Sequence, residues 1–292
     1  MPELPEVETI ARKLRPELVG KSIVKADLLW SRTLAAPTPA KFHKRIKGQK
    51  IQAVGRRAKY LDIRLSEYHL FVHLRMSGDL YIKEEKAPPE QHDRLILSLT
   101  PDPSTLSGTR PSRRGEGEAL EMGVRGSKLV FNDTRKFGRV WLVRDPDEVV
   151  SGLGPEPLSE AFTAQVLYES LQSRHRQLKP LLLDQSFLAG LGNIYTDEAL
   201  HKARLHPLVA SDSVNREQAQ ALWEAIREVL QEGIRRSGAS IDWVYRGGEF
   251  QNYFRVYDRA GQPCQVCGTG IVRLVIGQRG THVCPDCQRI GS

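Results

Sequence analysis

Four cysteines near the end of the chain have a spacing that predicts metal chemistry. Cys264, Cys267, Cys284 and Cys287 form two Cys-x2-Cys pairs separated by sixteen residues. This spacing is typical of a structural zinc ribbon, in which four thiolates hold one Zn2+ in a closed tetrahedral site. Two disulfides are the alternative, but they need an oxidising compartment, and the acidic start of the chain does not resemble an export signal. We therefore predict one structural zinc ion and no catalytic metal.

The start of the chain, MPELPEVE, offers a second kind of chemistry. Removal of Met1 would give Pro2 a secondary amine with a pKa of about 8, partly unprotonated at neutral pH. Such an amine can attack an aldehyde-level carbon and form an iminium ion, and Glu3 and Glu6 could transfer protons nearby. Proline and acidic residues are also ordinary in the first turn of a helix. On these residues alone, the helix start is the simpler interpretation.

Composition limits the partners of the chain. Lysine and arginine number 43 against 35 acidic residues, a formal charge of +8, and four thiolates with one Zn2+ would reduce it to +6. Excess positive charge favours a polyanion such as nucleic acid. No apolar run approaches the ~20 residues that span a bilayer, so we predict no membrane association. Because the acidic start does not resemble an export signal, we predict a cytoplasmic location. The hydrophobic fraction of 40% excludes a wholly disordered chain.

The elements that must position these residues follow from hydrophobic spacing. Val7, Ile10, Leu14 and Leu18 predict a helix over Glu6–Val19. Strands are expected at 61–65, 95–99, 129–131 and 140–143, with no helix between them, which indicates an antiparallel sandwich or barrel. Further helices are expected at 162–173, 179–183, 194–203 and 215–236. The predicted fold class is α+β: an N-terminal antiparallel β-sandwich flanked by helices, then a helical domain and a zinc ribbon.

This pattern also predicts the domain boundaries. Residues 1–144 form the β-sandwich domain, and residues 145–158, rich in proline and glycine, form a linker. Residues 159–255 form the helical domain, and residues 256–292 the four-cysteine zinc finger. Residues 103–128 are predicted to be a long exposed loop.

Seven segments and the cysteine ribbon together resemble one known family. In chain order they are MPELPEVE, RRAKYL, HLRMSG, NDTRKFG, LGPEPL, GLGNIYTDEAL and VYDRAGQPC. They are similar to the bacterial formamidopyrimidine-DNA glycosylase family, also called Fpg or MutM, within the Fpg/Nei family. The resemblance runs from residue 2 to about residue 288. It implies that the helical domain contains a helix–two-turns–helix element.

The resemblance implies a bifunctional DNA glycosylase and AP lyase of base excision repair. Pro2 would attack C1′ of an oxidised purine nucleoside, such as 8-oxoguanine or a formamidopyrimidine, through a Schiff base. Glu3 would transfer a proton at the sugar, and Lys59 would hold the adjacent phosphate. Strand cleavage would follow by β,δ-elimination. A lone strand lysine is otherwise most often simply solvated.

The resemblance also assigns contacts to damaged double-stranded DNA. Asn193 and Arg279 would bind phosphates, with Arg279 also positioning the phosphate for δ-elimination. Met76 and Phe137 would fill the space left by the extruded base, and Arg135 would hydrogen-bond the opposite cytosine. Ordinary N-capping by Asn193, an unpartnered surface Arg279 and core positions for Met76 and Phe137 are the alternatives. Polar, turn-like neighbours favour exposed loops for Met76 and Phe137.

Lesion recognition is predicted to involve Glu6 and the segment Gly238–Tyr253, a glycine-rich loop that could close over the extruded base. Arg75 and the 103–128 insertion depart from the pattern of relatives. A protein of this family is expected to act as a monomer. Two alternatives stay open: an endonuclease VIII-type glycosylase for oxidised pyrimidines, and a non-catalytic zinc-ribbon protein that binds nucleic acid.

Overall fold

A computed structural model describes residues 1–100, 126–240 and 247–290. These residues divide into two units. The first contains Met1, Ile10–Arg56 and Tyr60–Glu148, and the second contains Pro2–Thr9, Arg57–Lys59 and the described residues from Val149 onward. The second unit therefore includes Pro2–Thr9 and the short turn Arg57–Lys59, in addition to the helical region.

Helix α1 (Leu4–Leu18) confirms the first predicted helix, beginning two residues earlier than expected. Its apolar positions Leu4, Val7, Leu14 and Leu18 are buried. Gly20 follows in the left-handed region at φ +93°, where glycine is favoured, and the chain leaves the helix there.

The first unit is built on two β-sheets. Its strands are β1 (Ile23–Leu28), β2 (Leu34–Ala36), β3 (Ile51–Arg57), β4 (Tyr60–Leu65), β5 (His69–His73), β6 (Gly78–Glu84), β7 (Asp93–Leu99), β8 (Ser127–Asp133) and β9 (Arg139–Val143). One sheet has the order β1-β7-β8-β6, and the other has the order β2-β9-β5-β4-β3. Leu61, Ile63 and Leu65 of β4 are buried and alternate with more exposed residues, as the period of two predicts.

The inner faces of the two sheets form the core of a β-sandwich. Leu70 and Val72 of one sheet line a small apolar cavity together with residues of the other, namely Leu80, Leu95, Leu97, Leu129 and Phe131. Strand β7 is buried along its whole length. The predicted α+β class with an N-terminal β-sandwich is confirmed.

Two features of the sandwich were not predicted. Helix α2 (Pro39–Ile46) lies between strands β2 and β3, ahead of the first predicted strand, and the described residues between the predicted strands contain no α-helix, as expected. It is short and strongly basic, and it buries only Phe42 and Ile46, so its apolar repeat is too brief to identify from sequence. Strands β2 and β9 pair in parallel, so the sheets are not wholly antiparallel.

The expectations for residues 103–128 and Gly238–Tyr253 fall partly outside the described residues. The loop at 103–128 is described only from residue 126, where β8 already begins at Ser127. The segment Gly238–Tyr253 is described at its two ends, which include a 3₁₀ turn at Phe250–Tyr253. Within the predicted linker, α3 (Asp147–Val150) forms a single helical turn. The predicted domain boundaries stay predictions.

Four helices form the core of the second unit. They are α4 (Ala164–Gln172), α5 (Leu178–Leu182), α6 (Asn193–Lys202) and α7 (Arg216–Arg235), each within two residues of its predicted bounds. Thr163 caps α4, and Asn215 with Gln218 forms a capping box on α7. Among the described residues, no helix has the length and apolar character needed to cross a membrane.

Helix α6 is buried on nearly all sides, although it carries acidic residues. Asp197 and Glu198 are both almost inaccessible to solvent. Glu198 accepts hydrogen bonds from the backbone N–H groups of residues 255, 256 and 257. Asp197 accepts from the Lys179 ammonium and from the His282 N–H, so both buried carboxylates have hydrogen-bond partners, as low-dielectric burial requires. The zinc-ribbon hairpin, β10 (Val272–Ile276) and β11 (Arg279–Val283), packs against this helix.

Candidate active site

The carboxylate of Glu3 lies at the amino end of helix α6. Its Oε2 accepts from the backbone N–H of Gly192 at 2.7 Å, and its Oε1 accepts from Ile194 N–H at 3.0 Å. The amino terminus of a helix has free N–H groups and a partial positive charge, so it is a good anion site. A Cβ at position 192 would lie only 2.2 Å from the Glu3 carboxyl carbon. Glycine is therefore required at this position for the carboxylate to approach.

Burial changes the acidity of Glu3. Removal from water raises the pKa of this carboxyl from 4.5 to about 7, and the nearby charge of Glu6 adds to the rise, while Lys59 opposes it. A carboxyl group with a pKa near neutrality can both donate and accept a proton at physiological pH. Pro2, its neighbour in the chain, is also buried.

Lys59 stands on a strained turn. Ala58 has a left-handed φ of +53°, which is unfavourable for a residue with a Cβ. The carboxylate of Glu156 stabilises this turn by accepting from the Ala58 N–H and from the Arg57 guanidinium. The Lys59 ammonium is buried and donates to the Leu191 carbonyl at 2.6 Å. Burial lowers its pKa, and the charge of Glu3 opposes that shift.

Both oxygens of Glu6 are occupied by groups of the protein. Oε2 accepts from the Glu3 N–H at 2.7 Å, and Oε1 accepts from the Tyr195 hydroxyl and the Ala239 N–H, each at 2.7 Å. A Cβ at Gly238 would lie 2.7 Å from the same Oε1. Glu6 thus joins the start of the chain to helix α6 and to the first residues of the segment beginning at Gly238.

Asn193 and Arg279 both lie near the zinc-ribbon hairpin. Asn193 is the first residue of α6, but its side chain caps no helix: its Nδ2 donates to the Gly280 carbonyl at 2.9 Å. Lys179, fully buried, pairs with Asp197 at 2.6 Å and donates to the same carbonyl at 3.0 Å. Arg279 begins strand β11, directly before this anchored residue, and its side chain is exposed. Its positive charge contributes to the lowered pKa of Lys59.

Met76, Arg135 and Phe137 belong to the first unit and lie on two of its loops. Met76 is 40% exposed and Phe137 is 50% exposed, so neither is a core residue. The Arg135 guanidinium lies 5.1 Å from the centroid of the Phe137 ring. Arg75 and Lys136, beside these residues, have left-handed φ values of +55° and +62°. Tight turns thus hold two large apolar side chains in solvent.

The four cysteines have the geometry of a zinc site. Their sulfur atoms all lie within 4.8 Å of one another. The Sγ atom of Cys287 is 3.9 Å from that of Cys264 and 3.5 Å from that of Cys267, and Cys267 and Cys284 are 3.4 Å apart. Tetrahedral thiolates with Zn–S bonds of about 2.3 Å lie roughly 3.8 Å apart, so the four ligands fit one Zn2+. The separations are far longer than a disulfide bond, so the alternative of two disulfides is not formed.

Several supporting residues were missed by sequence reasoning. Glu156 lies inside LGPEPL, and Tyr195 lies inside GLGNIYTDEAL, so the motifs contained them without indicating their partners. Asp197 also belongs to GLGNIYTDEAL, whereas Lys179 was predicted only to be part of a helix. All four are positioning residues whose partners are distant in sequence.

Comparison with protein families identifies each part of the chain. The model described as "Formamidopyrimidine-DNA glycosylase N-terminal domain" matches residues 1–140. The model described as "Formamidopyrimidine-DNA glycosylase H2TH domain" matches residues 153–244. The model described as "Zinc finger found in FPG and IleRS" matches residues 261–290, which contain all four cysteines. The predicted helix–two-turns–helix element and zinc finger are confirmed.

Similar proteins match the chain over its whole length. The formamidopyrimidine-DNA glycosylase of Chloroflexus aurantiacus is 44% identical, with 99% of this chain and 98% of the relative covered. That of Protochlamydia amoebophila is 40% identical, with 99% and 100% covered. The structure of Lactococcus lactis Fpg with DNA containing an abasic site has a TM-score of 0.85 at 31% identity, covering 99% of this chain and 100% of that one. A structure of MutM with DNA containing carbocyclic 8-oxo-G has a TM-score of 0.85 at 33% identity and the same coverage. The chain belongs to the formamidopyrimidine-DNA glycosylase family.

Proposed function

We propose that this protein is a bifunctional DNA glycosylase and AP lyase that removes 8-oxoguanine and formamidopyrimidines from duplex DNA and then cleaves the strand. The observation that carries the proposal is the buried Glu3 carboxyl, which follows Pro2 in the chain, is fixed by the N–H groups of Gly192 and Ile194, and interacts electrostatically with the buried Lys59. Relatives bound to DNA containing carbocyclic 8-oxo-G and Fapy-dG support the choice of oxidised purines.

Pro2 supplies the nucleophile once Met1 has been removed, because its nitrogen is otherwise an amide. The amine forms a bond to C1′ as the glycosidic bond breaks, and the electron pair leaves with the base, which takes up a proton. The attached nitrogen then loses its own N–H proton, which frees its lone pair for the next step. Protonation of O4′ opens the sugar ring and leaves an iminium ion between C1′ and the Pro2 nitrogen. Loss of a C2′ proton then expels the 3′ phosphate, and loss of a C4′ proton expels the 5′ phosphate.

Glu3 is proposed to donate the proton at O4′. Two backbone N–H groups fix its carboxyl, and its pKa of about 7 leaves a substantial protonated fraction at neutral pH. The Glu3 carboxyl is therefore held in a fixed orientation and is able to donate a proton to the sugar.

Lys59, Arg279 and Asn193 are proposed to bind the phosphates on either side of the lesion. Lys59 is buried and fixed by the Leu191 carbonyl, and an ammonium held in this way stabilises charge on a departing phosphate oxygen. Arg279 is exposed at the start of β11, where its guanidinium can make bidentate contacts to phosphate. Asn193 donates to the Gly280 carbonyl, which holds its side chain at the start of α6, where it is proposed to contact phosphate.

Met76, Arg135 and Phe137 are proposed to replace the extruded nucleotide in the stack. Extrusion of a base costs about a few kcal/mol, and exposed apolar side chains that enter the gap offset this. Arg135 would hydrogen-bond the widowed cytosine. The exposure of Met76 and Phe137 supports this role, because buried side chains could not enter DNA. Glu6, whose oxygens are both occupied, is proposed to shape the lesion pocket through Ala239 rather than through direct contact with the base.

The proposed partner is damaged double-stranded DNA, bound by a monomer in the bacterial cytoplasm. The relatives bound to DNA containing abasic or oxidised sites support this partner. Basic side chains on separate elements would replace counterions on the DNA, so binding should weaken as salt increases.

The test is strand cleavage of matched duplexes that differ only in the lesion. We expect the protein without Met1 to cleave duplexes with 8-oxoguanine opposite cytosine at least tenfold faster than duplexes with thymine glycol. Glu3→Gln should abolish excision of 8-oxoguanine but still cleave a preformed abasic site, whose hemiacetal sugar opens to the aldehyde without the enzyme. Preference for thymine glycol would indicate an endonuclease VIII-type enzyme. Binding without cleavage of either duplex would indicate a non-catalytic protein.

A further inference from the structure

One buried carboxylate in the first unit joins the loop that carries Met76 to the loop that carries Arg135 and Phe137. Asp133, at the end of β8, is completely buried. Its Oδ1 accepts from the Ser77 hydroxyl, which belongs to the Met76 loop, and from the Arg135 N–H at 3.2 Å. Its Oδ2 accepts from the Gly138 N–H at 2.7 Å. The carboxylate therefore holds both ends of its own loop and one side chain of the other.

Ser77 adds a second link at this junction of the two loops, formed by Asp133, Ser77, Arg135 and Gly138. Its hydroxyl donates to Asp133, and its oxygen also accepts from the Arg135 N–H at 3.1 Å. The backbone of Arg135 is thus fixed jointly by the two loops. A change in the position of either loop would move the arginine.

Close packing beneath the junction requires glycine in both loops. A Cβ at Gly78 would lie 2.9 Å from the Phe131 ring and 2.5 Å from the Leu74 carbonyl oxygen. A Cβ at Gly138 would lie 2.4 Å from the same ring. The two glycines allow both loops to pack on one aromatic side chain, directly beside the carboxylate.

The opposite side of Asp133 is fixed to strand β7 and the residue before it. The Asp133 carbonyl accepts from the Arg94 side chain at 2.8 Å, and its N–H donates to the His92 carbonyl at 2.9 Å. Asp133 therefore has little freedom to follow a moving loop. Contacts with the sandwich therefore help to fix the positions of the two loops, in addition to the contacts that the loops make with each other.

We propose that Asp133, together with Ser77, is a positioning residue that couples the two loops so that Met76, Arg135 and Phe137 enter the duplex as one unit. This inference rests on the proposed function. Its consequence is that Asp133 sets the preference for cytosine opposite the lesion without contacting DNA. A bidentate contact from arginine to a base edge depends on placement to within a fraction of an ångström, and Asp133 defines that placement.

Asp133→Asn is the central test because it preserves shape and removes one acceptor. An amide offers one oxygen where the carboxylate offers two, so one of the three donors on the carboxylate faces an NH2 group. Ser77→Ala is the second variant, which removes only the hydroxyl bridge. Asp62→Asn is the matched control: it makes the same change on β4, where the partner is His69.

The decisive measurement is the ratio of single-turnover excision rates for 8-oxoguanine opposite cytosine and opposite adenine. We expect D133N to lower the rate opposite cytosine roughly tenfold and to reduce the ratio at least fivefold. S77A should reduce the ratio about threefold, and D62N should leave it unchanged. A merely structural role would lower thermal stability but leave the ratio as in the wild type.

The outcomes separate this inference from the proposed function. An active wild type with unchanged ratios in folded D133N and S77A would overturn the role of Asp133. If D133N does not fold, the ratio of S77A decides, since a hydroxyl deletion leaves the backbone contacts of the carboxylate intact. A wild type that excises no 8-oxoguanine would overturn the proposed function and, with it, the specificity role assigned to Asp133.

Discussion

Replacing Glu3 with glutamine should remove a large pH dependence from the stability of this protein. The pKa of Glu3 is 4.5 in an ordinary setting and about 7 in the fold, chiefly because of burial. A group whose pKa is raised by folding supports stability fully below the unfolded value and loses that support as the pH rises through the folded value. Between pH 5 and pH 8 these two values correspond to a loss of about 2.5 kcal/mol of unfolding free energy.

The assay is urea denaturation of the wild type and E3Q across this pH range. Glutamine has the same shape and does not ionise, so the stability of E3Q relative to the wild type should increase by about 2.5 kcal/mol from pH 5 to pH 8. Glu17→Gln, an exposed position on the same helix, is the control and should follow the wild type. Parallel curves for the wild type and E3Q would refute the conclusion that burial raises the pKa of Glu3.

Three further changes test the supporting structure. Gly138→Ala places a Cβ 2.4 Å from an aromatic carbon and should lower the unfolding free energy by about 1–3 kcal/mol, whereas Gly55→Ala, which meets no atom within 4 Å, should be nearly neutral. Lys179→Met leaves the buried Asp197 carboxylate without its ammonium partner and should cost about 3–5 kcal/mol, against less than about 1 kcal/mol for the surface pair lost in Lys202→Met. A chelator should release one Zn2+ per chain and abolish DNA binding before the first unit unfolds, as followed by metal assay, fluorescence anisotropy and circular dichroism.

Each of these changes has an outcome that contradicts its reasoning. Equal stability of the two alanine variants would show that the loop at residue 138 moves to make room. An equal loss of unfolding free energy in Lys179→Met and Lys202→Met would show that the buried Lys179–Asp197 pair does not anchor the hairpin. DNA binding by zinc-free protein would remove Arg279 from the contacts with phosphate.

The sequence was sufficient to predict the elements that carry the site. Helices α6 and α7 have long apolar repeats or strong boundary signals, and each begins and ends close to its predicted bounds. The cysteine spacing predicted the zinc finger, because metal geometry constrains spacing directly. Loops rich in charge and glycine correctly indicated that Met76 and Phe137 are exposed.

The contacts that tune the site could not be predicted from the sequence. Glu3 receives hydrogen bonds from residues about 190 positions away in the chain, and local spacing contains no signal for such a pairing. Charged residues such as Asp197 and Glu198 normally indicate a solvated helix face, yet here both are buried because partners satisfy them. Contacts between residues far apart in the sequence, rather than local propensity, determine whether these side chains are buried.

The nucleophile is the centre of this account, and trapping it is the most direct test. Borohydride added during reaction with duplex DNA containing 8-oxoguanine opposite cytosine should reduce the iminium to a stable adduct. Intact mass should show a protein without Met1, peptide mapping should place the adduct on Pro2, and Pro2→Gly should greatly reduce its yield. An adduct on any other residue, or full activity in protein that retains Met1, would contradict the account.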